Sequence, residues 1–219
     1  MGSKERRERE KEQRKSQILD VARELLLEKG LQATSINQIA KRSELSVGTF
    51  YFYYRSKEEL YVALQQEGLD LLYGMTTAAI RRKRNPRAKI HAIAQAYLTF
   101  AEEHRSYFDI INYFLNSSSE IFFSEQLKEQ VDEHGNRIVD VLANVIADGI
   151  RSGDFRPVPA KRYALILWAM IHGVTQLRKL RHTILRGEDL HKIYTDAVGL
   201  FIDAIGTAGA GQEAPTLDT

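Results

Sequence analysis

Apolar residues recur at intervals of three and four over most of the chain, and no stretch alternates apolar and polar positions for long. A helix returns to one face every three or four residues and a strand every two, so the pattern predicts an all-α protein. Ile18, Ala22, Leu25 and Leu26 form one face of a helix expected to begin near Arg14 and to stop at Gly30, a residue suited to the left-handed turn after a helix. Thr34 or Ser35 then caps a short helix that turns Ile36, Ile39 and Ala40 inward, and Ser46 caps another. Ser56 and Glu59 form a capping box that opens a longer helix, burying Leu60, Leu64 and Leu71 and closed by Asn85 and Pro86.

Beyond Pro86 the elements lengthen. Ile90, Ala94, Tyr97 and Ala101 make one stripe, followed by a short helix around Phe108, Ile111 and Phe114 and a break at Ser117 to Ser119. Leu127, Val131, His134, Ile138, Val141 and Val145 repeat at four and three, a seam on a helix that closes near Gly153. The next helix, from about Ala160 to Lys179, is apolar almost all round: Tyr163, Leu167, Met170 and Val174 on one stripe, Leu165, Trp168 and Ile171 on others. Such a helix has to be covered on every side. The last carries Leu190, Ile193, Tyr194, Ala197, Val198, Phe201, Ile202 and Ile205, a wide apolar face, and this pair is what a helical dimer interface requires. Four segments are expected: a flexible charged arm over 1–13, a small helical domain over 14–60, a larger one over 61–206 and a disordered tail over 207–219.

Composition narrows the class. The 219 residues are 43% hydrophobic and 27% charged, values of a globular protein, and no apolar run is long enough to cross a membrane. The charged start lacks the apolar centre of a secretory signal. Cysteine is absent, which excludes disulfides, thiolate metal sites and a cysteine nucleophile and agrees with a cytoplasmic location. The net charge of +2 is unevenly spread. Lys4, Arg6, Arg7, Arg9, Lys11, Arg14 and Lys15 outweigh Glu5, Glu8, Glu10 and Glu12, and a second basic cluster runs from Arg81 to Lys89, where cations also suit the end of a helix.

Five consecutive aromatic residues, Phe50 to Tyr54, stand in the stretch GTFYFYYRSKEEL. Successive side chains on a helix turn by about 100°, so one small core cannot take all five rings. Two short helices about a sharp turn at Arg42 to Leu45 resolve the difficulty, because this is the layout of a helix-turn-helix DNA reader. Its recognition helix is expected over Ser46 to Phe52. Leu45, Phe50 and Tyr54 join Ile39 and Ala40 inside, leaving Val47, Gly48, Thr49, Tyr51 and Tyr53 for a DNA groove and its walls.

From Ile18 to Leu60, about a fifth of the chain, the sequence ILDVARELLLEKGLQATSINQIAKRSELSVGTFYFYYRSKEEL resembles the DNA-binding region of the tetracycline-repressor (TetR) family. The shared elements keep order and spacing: alanine before the LL pair, glycine after the first helix, TS then IA, SVGTFY, and SKEEL. Glu44 departs from the family's usual glycine in the turn, and Tyr54 from its usual phenylalanine. By this resemblance Ser35 and Asn37 contact the DNA backbone, Ser46, Val47, Gly48 and Thr49 meet base edges and nearby phosphates, and Tyr51, Tyr53 and Lys57 meet the sugar-phosphate backbone. The chemistry fits: tyrosine hydroxyls and a lysine donate to phosphate oxygens, and Val47 and the Thr49 methyl suit thymine methyls. No arginine, asparagine or glutamine lies on the recognition helix, which shifts specificity toward DNA shape or the arm holding Arg9 and Arg14.

The resemblance further implies a homodimer on a palindromic operator and a small-molecule pocket among the C-terminal helices, with repression relieved by ligand as the commoner mode. Tyr97, Phe100, His104, Tyr107, Asn112, Phe114, Trp168, His172 and Gln176 are candidates to line that pocket. Each adds a polar or aromatic group to helices that otherwise bury aliphatic chains, which suits a mainly apolar ligand with a polar end. The cluster at Arg81 to Lys89 is a candidate for a phosphate-bearing ligand such as an acyl-coenzyme A. No catalytic residue, metal site or cofactor is expected. Two other classes stay open at this point: a helical-bundle metalloenzyme, for which Glu188 and His191 supply one Glu-x-x-His pair without a second, and a constitutive DNA-binding protein with a dry core.

Overall fold

The helical periodicity is realised along the chain. The computed structural model describes residues 3–30, 33–116, 125–180, 183 and 185–207. Among them the helices are α1 (Ser3–Lys29), α2 (Ile36–Arg42), α3 (Val47–Tyr53), α4 (Lys57–Ile80), α5 (Pro86–Glu103), α6 (Arg105–Asn116), α7 (Glu125–Arg151), α8 (Ala160–Gln176) and α9 (Leu190–Ile205), with a 3-10 turn over Leu177–Leu180. The expected break at Ser117 to Ser119 and the tail from 208 onward lie outside the described residues. The chain forms two compact units, Met1–Leu71 with Glu102–Gly135 and Leu72–Ala101 with Asn136–Thr219.

In the first unit, Ile18, Ala22, Leu25 and Leu26 of α1 pack with Ile39 and Ala40 of α2, Phe50 of α3, Tyr54, Leu60, Tyr61 and Leu64 around the start of α4, and Ile110 of α6. Ser35 is the residue that caps α2, in a reciprocal box with Gln38, while Thr34 is buried and donates its hydroxyl to Gly30 O at 2.8 Å. One boundary differs from expectation. The helix expected to begin near Arg14 begins at Ser3, so the segment 3–13 is helical and not a flexible arm. From Lys4 to Lys15 every residue is Lys, Arg, Glu or Gln, all good helix formers, and Arg6 pairs with Glu10 one turn on at 3.5 Å.

The α2–α3 turn closes by a double backbone hydrogen bond. Glu44 N–H donates to Lys41 O at 3.2 Å and Leu45 N–H to Ala40 O at 2.8 Å, with Glu44 at φ 57. This is the Schellman ending, whose left-handed position glycine usually fills. Leu45 then folds onto the core beside Ala40.

In the second unit the buried residues come from α5 (Ile90, Ile93, Ala94, Tyr97, Leu98, Phe100), α7 (Leu142, Val145, Ile146), α8 (Ala164, Leu167, Ile171) and α9 (Tyr194, Val198, Phe201, Ile202, Ile205). Tyr194 donates its hydroxyl to Ala94 O at 2.7 Å, fixing α9 on α5. Asn85 and Pro86 do not close α4, which ends at Ile80; they open α5. Asn85 Oδ1 accepts from Arg87 N at 2.7 Å, and proline suits a first helical position because its missing donor is not needed there. The buried line of α7 passes through Leu142 and Ile146 rather than the half-buried Val141, and on α4 Leu72 is buried where Leu71 is half-buried. Gly149 lacks the Cβ that would strike the Phe155 ring, and that fully covered ring closes the turn after α7.

Candidate nucleic-acid interface

The recognition helix is fixed at both ends by its own sequence. Ser46 Oγ accepts from Thr49 N–H at 3.0 Å and lies 2.8 Å from the Thr49 hydroxyl, so the cap and the candidate base-contacting threonine hold each other. At the other end Phe50 is completely buried and Tyr54 nearly so, their centroids 6.0 Å apart. Tyr54 donates to Lys15 O at 3.4 Å, and burial pushes its phenol above the usual range, so it stays a neutral anchor.

With those rings inside, Ser46, Val47, Gly48, Thr49 and Tyr51 are all exposed around the N-terminal end of α3. Nothing but Ser46 Oγ, at 3.8 Å, approaches the missing Cβ of Gly48, so that side of the helix is open to a close partner. Ser35 and Asn37 at the start of α2 are also exposed. Tyr53 is half-buried against the core, and Lys57 is half-buried with its ammonium 5.1 Å from the Tyr61 ring. Arg42 is occupied in fastening α2 to α1 through Glu28 at 2.7 Å and Glu24 at 3.0 Å. One residue left unassigned by sequence stands out: Phe52 is 69% exposed, with Lys11 Nζ 5.4 Å from its ring centroid. The signal was present, since Phe52 lies two residues beyond the buried Phe50 and helical rotation turns it outward.

The effector candidates separate into two groups. In the second unit Tyr97 Oη lies 2.6 Å from His172 Nδ1, Trp168 stacks on the His172 ring at 5.4 Å, and Gln176 Nε2 lies 3.4 Å from His172 Nε2. Burial raises the Tyr97 phenol above its usual range, and burial with the Lys179 charge holds the His172 imidazole below its own. Both are therefore neutral at pH 7, and with Trp168 donating to the phenol, Tyr97 donates in turn to Nδ1. Phe100 is fully buried in the same unit.

In the first unit Tyr107 donates to Glu67 Oε2 at 3.0 Å, the oxygen that also takes Arg23 Nη2 at 2.7 Å. Burial opposes the Arg23 charge, but Glu67 and Asp20 outweigh it and raise its pKa. Asn112 donates to Phe108 O in its own helix at 2.8 Å, and His104 accepts at its carbonyl from Phe108 N–H. The Phe114 side chain lies outside the described residues. A recess of about 890 Å³ in the second unit is walled by Ala78, Ala79, Ala88, Ala92 and Ala96 with Met75 and Lys83, and none of the effector candidates lines it. Among the described residues no three His, Asp or Glu side chains gather as metal ligands, and no helix is long and apolar enough to cross a membrane.

Residues 18–64 match the profile of bacterial regulatory proteins of the tetR family, and residues 90–209 match the profile of the tetracyclin repressor-like C-terminal domain. The chain is 24% identical over 142 residues to the fatty acid metabolism regulator protein of Bacillus subtilis, covering 64% of this chain and 70% of that one. Its fold is similar to a protein of unknown function from Rhodococcus sp. RHA1, with TM-score 0.74, 24% identity and coverage of 89% and 96%. It is also similar to the regulator FadR of Bacillus subtilis in complex with stearoyl-CoA, with TM-score 0.69, 18% identity and coverage of 87% and 98%.

Proposed function

Because the chain belongs to the TetR family and is a ligand-responsive DNA-binding regulator of transcription, we propose that it is a cytoplasmic repressor that binds a palindromic operator as a homodimer and leaves it when a mainly apolar effector enters its C-terminal domain. The observation that carries this is the exposure of Ser46, Val47, Gly48, Thr49 and Tyr51 at the start of α3, held outward by the buried Phe50 and Tyr54. Val47 and Thr49 meet base edges there, Tyr51 and Tyr53 the phosphates beside them, with Ser35, Asn37 and Lys57 on the backbone. A dimer sets two such helices in successive major grooves about 34 to 36 Å apart. The exposed Leu165 and Ile166 of α8 and Leu200 of α9 support pairing through the last two helices.

For the effector, Tyr97, Trp168, His172 and Gln176 offer a polar end within an apolar unit. The alanine-walled recess and Lys83 suit an acyl chain with a phosphate-bearing carrier, a chemistry that FadR's stearoyl-CoA shares. Coupling runs along α4, which starts in the first unit and ends in the second. An effector preferring one spacing of the recognition helices weakens DNA binding, and DNA weakens effector binding by the same factor; about 1 to 3 kcal/mol gives roughly 5 to 150-fold.

Selection of bound sequences from a random duplex library tests the DNA reader, repeated with Tyr51→Phe and Thr49→Ala. A recovered palindrome bound more weakly by both variants supports it, and the absence of any preferred sequence sinks it. Long-chain acyl-coenzyme A added to the operator complex then tests the effector class: release supports it, and unchanged binding at saturation rejects it.

A further inference from the structure

Along α1 the side that faces the core changes chemistry. At about 100° per residue, Ile18, Ala22 and Leu25 share one side, and Arg14, Lys11, Arg7 and Lys4 continue it toward the N-terminus within a sector of about 80°. The same stripe is apolar where the small core covers it and basic where the core ends. There it forms a recess of about 720 Å³ with α3, walled by Lys4, Arg7, Lys11 and Arg14 together with Phe52 and Tyr53, and flanked by Glu8 and Glu10. Among the described residues Lys4, Arg7 and Lys11 make no ion pair, and Lys11 rests over the exposed Phe52 ring.

The acids of this segment, Glu5, Glu8, Glu10 and Glu12, stand on the other sides of the helix, and the stripe itself holds only cations. It is set by the register of the buried face, so it is aimed to the same side as the helices it adjoins. From Lys4 to Arg14 it spans about 15 Å, at 1.5 Å per residue, close to the rise of four or five base pairs at about 3.4 Å each. We propose that the N-terminal part of α1 is a second DNA-contacting element: Lys4, Arg7, Lys11 and Arg14 lie along the phosphate backbone flanking the bases read by α3, with Phe52 against the sugars between the two helices. The proposal rests on α3 being a DNA reader. It adds affinity and length to the operator footprint and leaves the base preference to Ser46 to Thr49. The stripe supplies charge on a rigid rod, which holds the cations at phosphate spacing with less ordering on binding than a flexible tail needs.

The test uses the full chain, its selected operator, and the same operator trimmed of the pairs outside the α3 contacts. Lys4→Gln/Arg7→Gln/Lys11→Gln keeps good helix formers and removes the charge. It is expected to bind the long operator roughly 10 to 100-fold more weakly near 0.15 M salt, to flatten the slope of log affinity against log salt by about 3 per protomer, and to keep the same preferred sequence. Glu8→Gln/Glu10→Gln is expected to bind more tightly, and trimming is expected to weaken the wild type while leaving the triple variant unaffected. Equal affinity, slope and trimming response in wild type and triple variant, with operator binding intact, overturns this proposal alone. Failure of the wild type to bind any duplex overturns it together with the DNA reading beneath it.

Discussion

Glu44 holds a backbone position that favours glycine, at φ 57, and among the described residues it is the one non-glycine with positive φ. The turn tolerates it because both bonds of the helix ending are made and Leu45 is anchored behind it. Glu44→Gly should therefore stabilise the fold by about 0.5 to 1 kcal/mol, relieved strain exceeding the added freedom of the unfolded chain. At about 2 to 4 °C per kcal/mol the gain is visible in a thermal melt, and loss of a negative charge beside α3 should also tighten operator binding. His172 gives a pH dependence of definite sign. Its folded pKa lies below the ordinary 6.5, so below that pH the unfolded chain takes up a proton that the folded one refuses. Stability should be flat above pH 6.5 and fall as the pH drops toward the lowered value. His172→Gln should remove that fall in melts taken across the range. At this scale simple rotation marks Phe50 and Tyr54 as anchors and turns Phe52 outward, but it does not give the partial burial of Tyr53, expected among the DNA-facing residues. Tyr53 is partly covered by the core and Phe52 stands 69% exposed, a difference set by what packs alongside.

Among the elements, helix identity was legible from spacing and helix ends were less so. Hydrophobic spacing predicts a start of α1 near Arg14 because the apolar face begins there, whereas the charged segment before it is helical by propensity and i,i+4 pairing. Asn85 and Pro86 carry the signals of a stop and of a start, and their position after Ile80 makes them a start. Close approaches between elements left no trace in hydrophobic periodicity. In the first unit Gly68 of α4 lets Tyr107 of α6 come so near that an added Cβ would lie 2.9 Å from the Tyr107 Cβ. In the second, Gly149 admits the Phe155 ring. Gly149→Ala should destabilise by about 1 to 3 kcal/mol, since the covered ring has nowhere to move, and a denaturant titration against the wild type measures it.

For the whole molecule, the two units divide otherwise than the expected 14–60 and 61–206, since residues 102–135 group with the first unit, a tertiary grouping that helix length does not reveal; the all-round apolar character of α8 pointed to a partner. That character is only partly absorbed within the chain: Leu165 and Ile166 remain 44% and 48% exposed, and Leu200 on α9 is 71% exposed. Ile166→Glu with Leu200→Glu should leave the protein monomeric in sedimentation and weaken operator binding by about 100-fold or more, because linked half-sites gain that much from simultaneous engagement. Wild-type sedimentation of the double variant would remove these helices from the interface. The second unit also carries an optical probe of its own. Trp168 is the chain's one tryptophan, and it lies stacked on His172. All indole fluorescence therefore originates at a single point among the effector candidates, where protonation of the imidazole should dim the emission and a ligand that parts the two rings should brighten it.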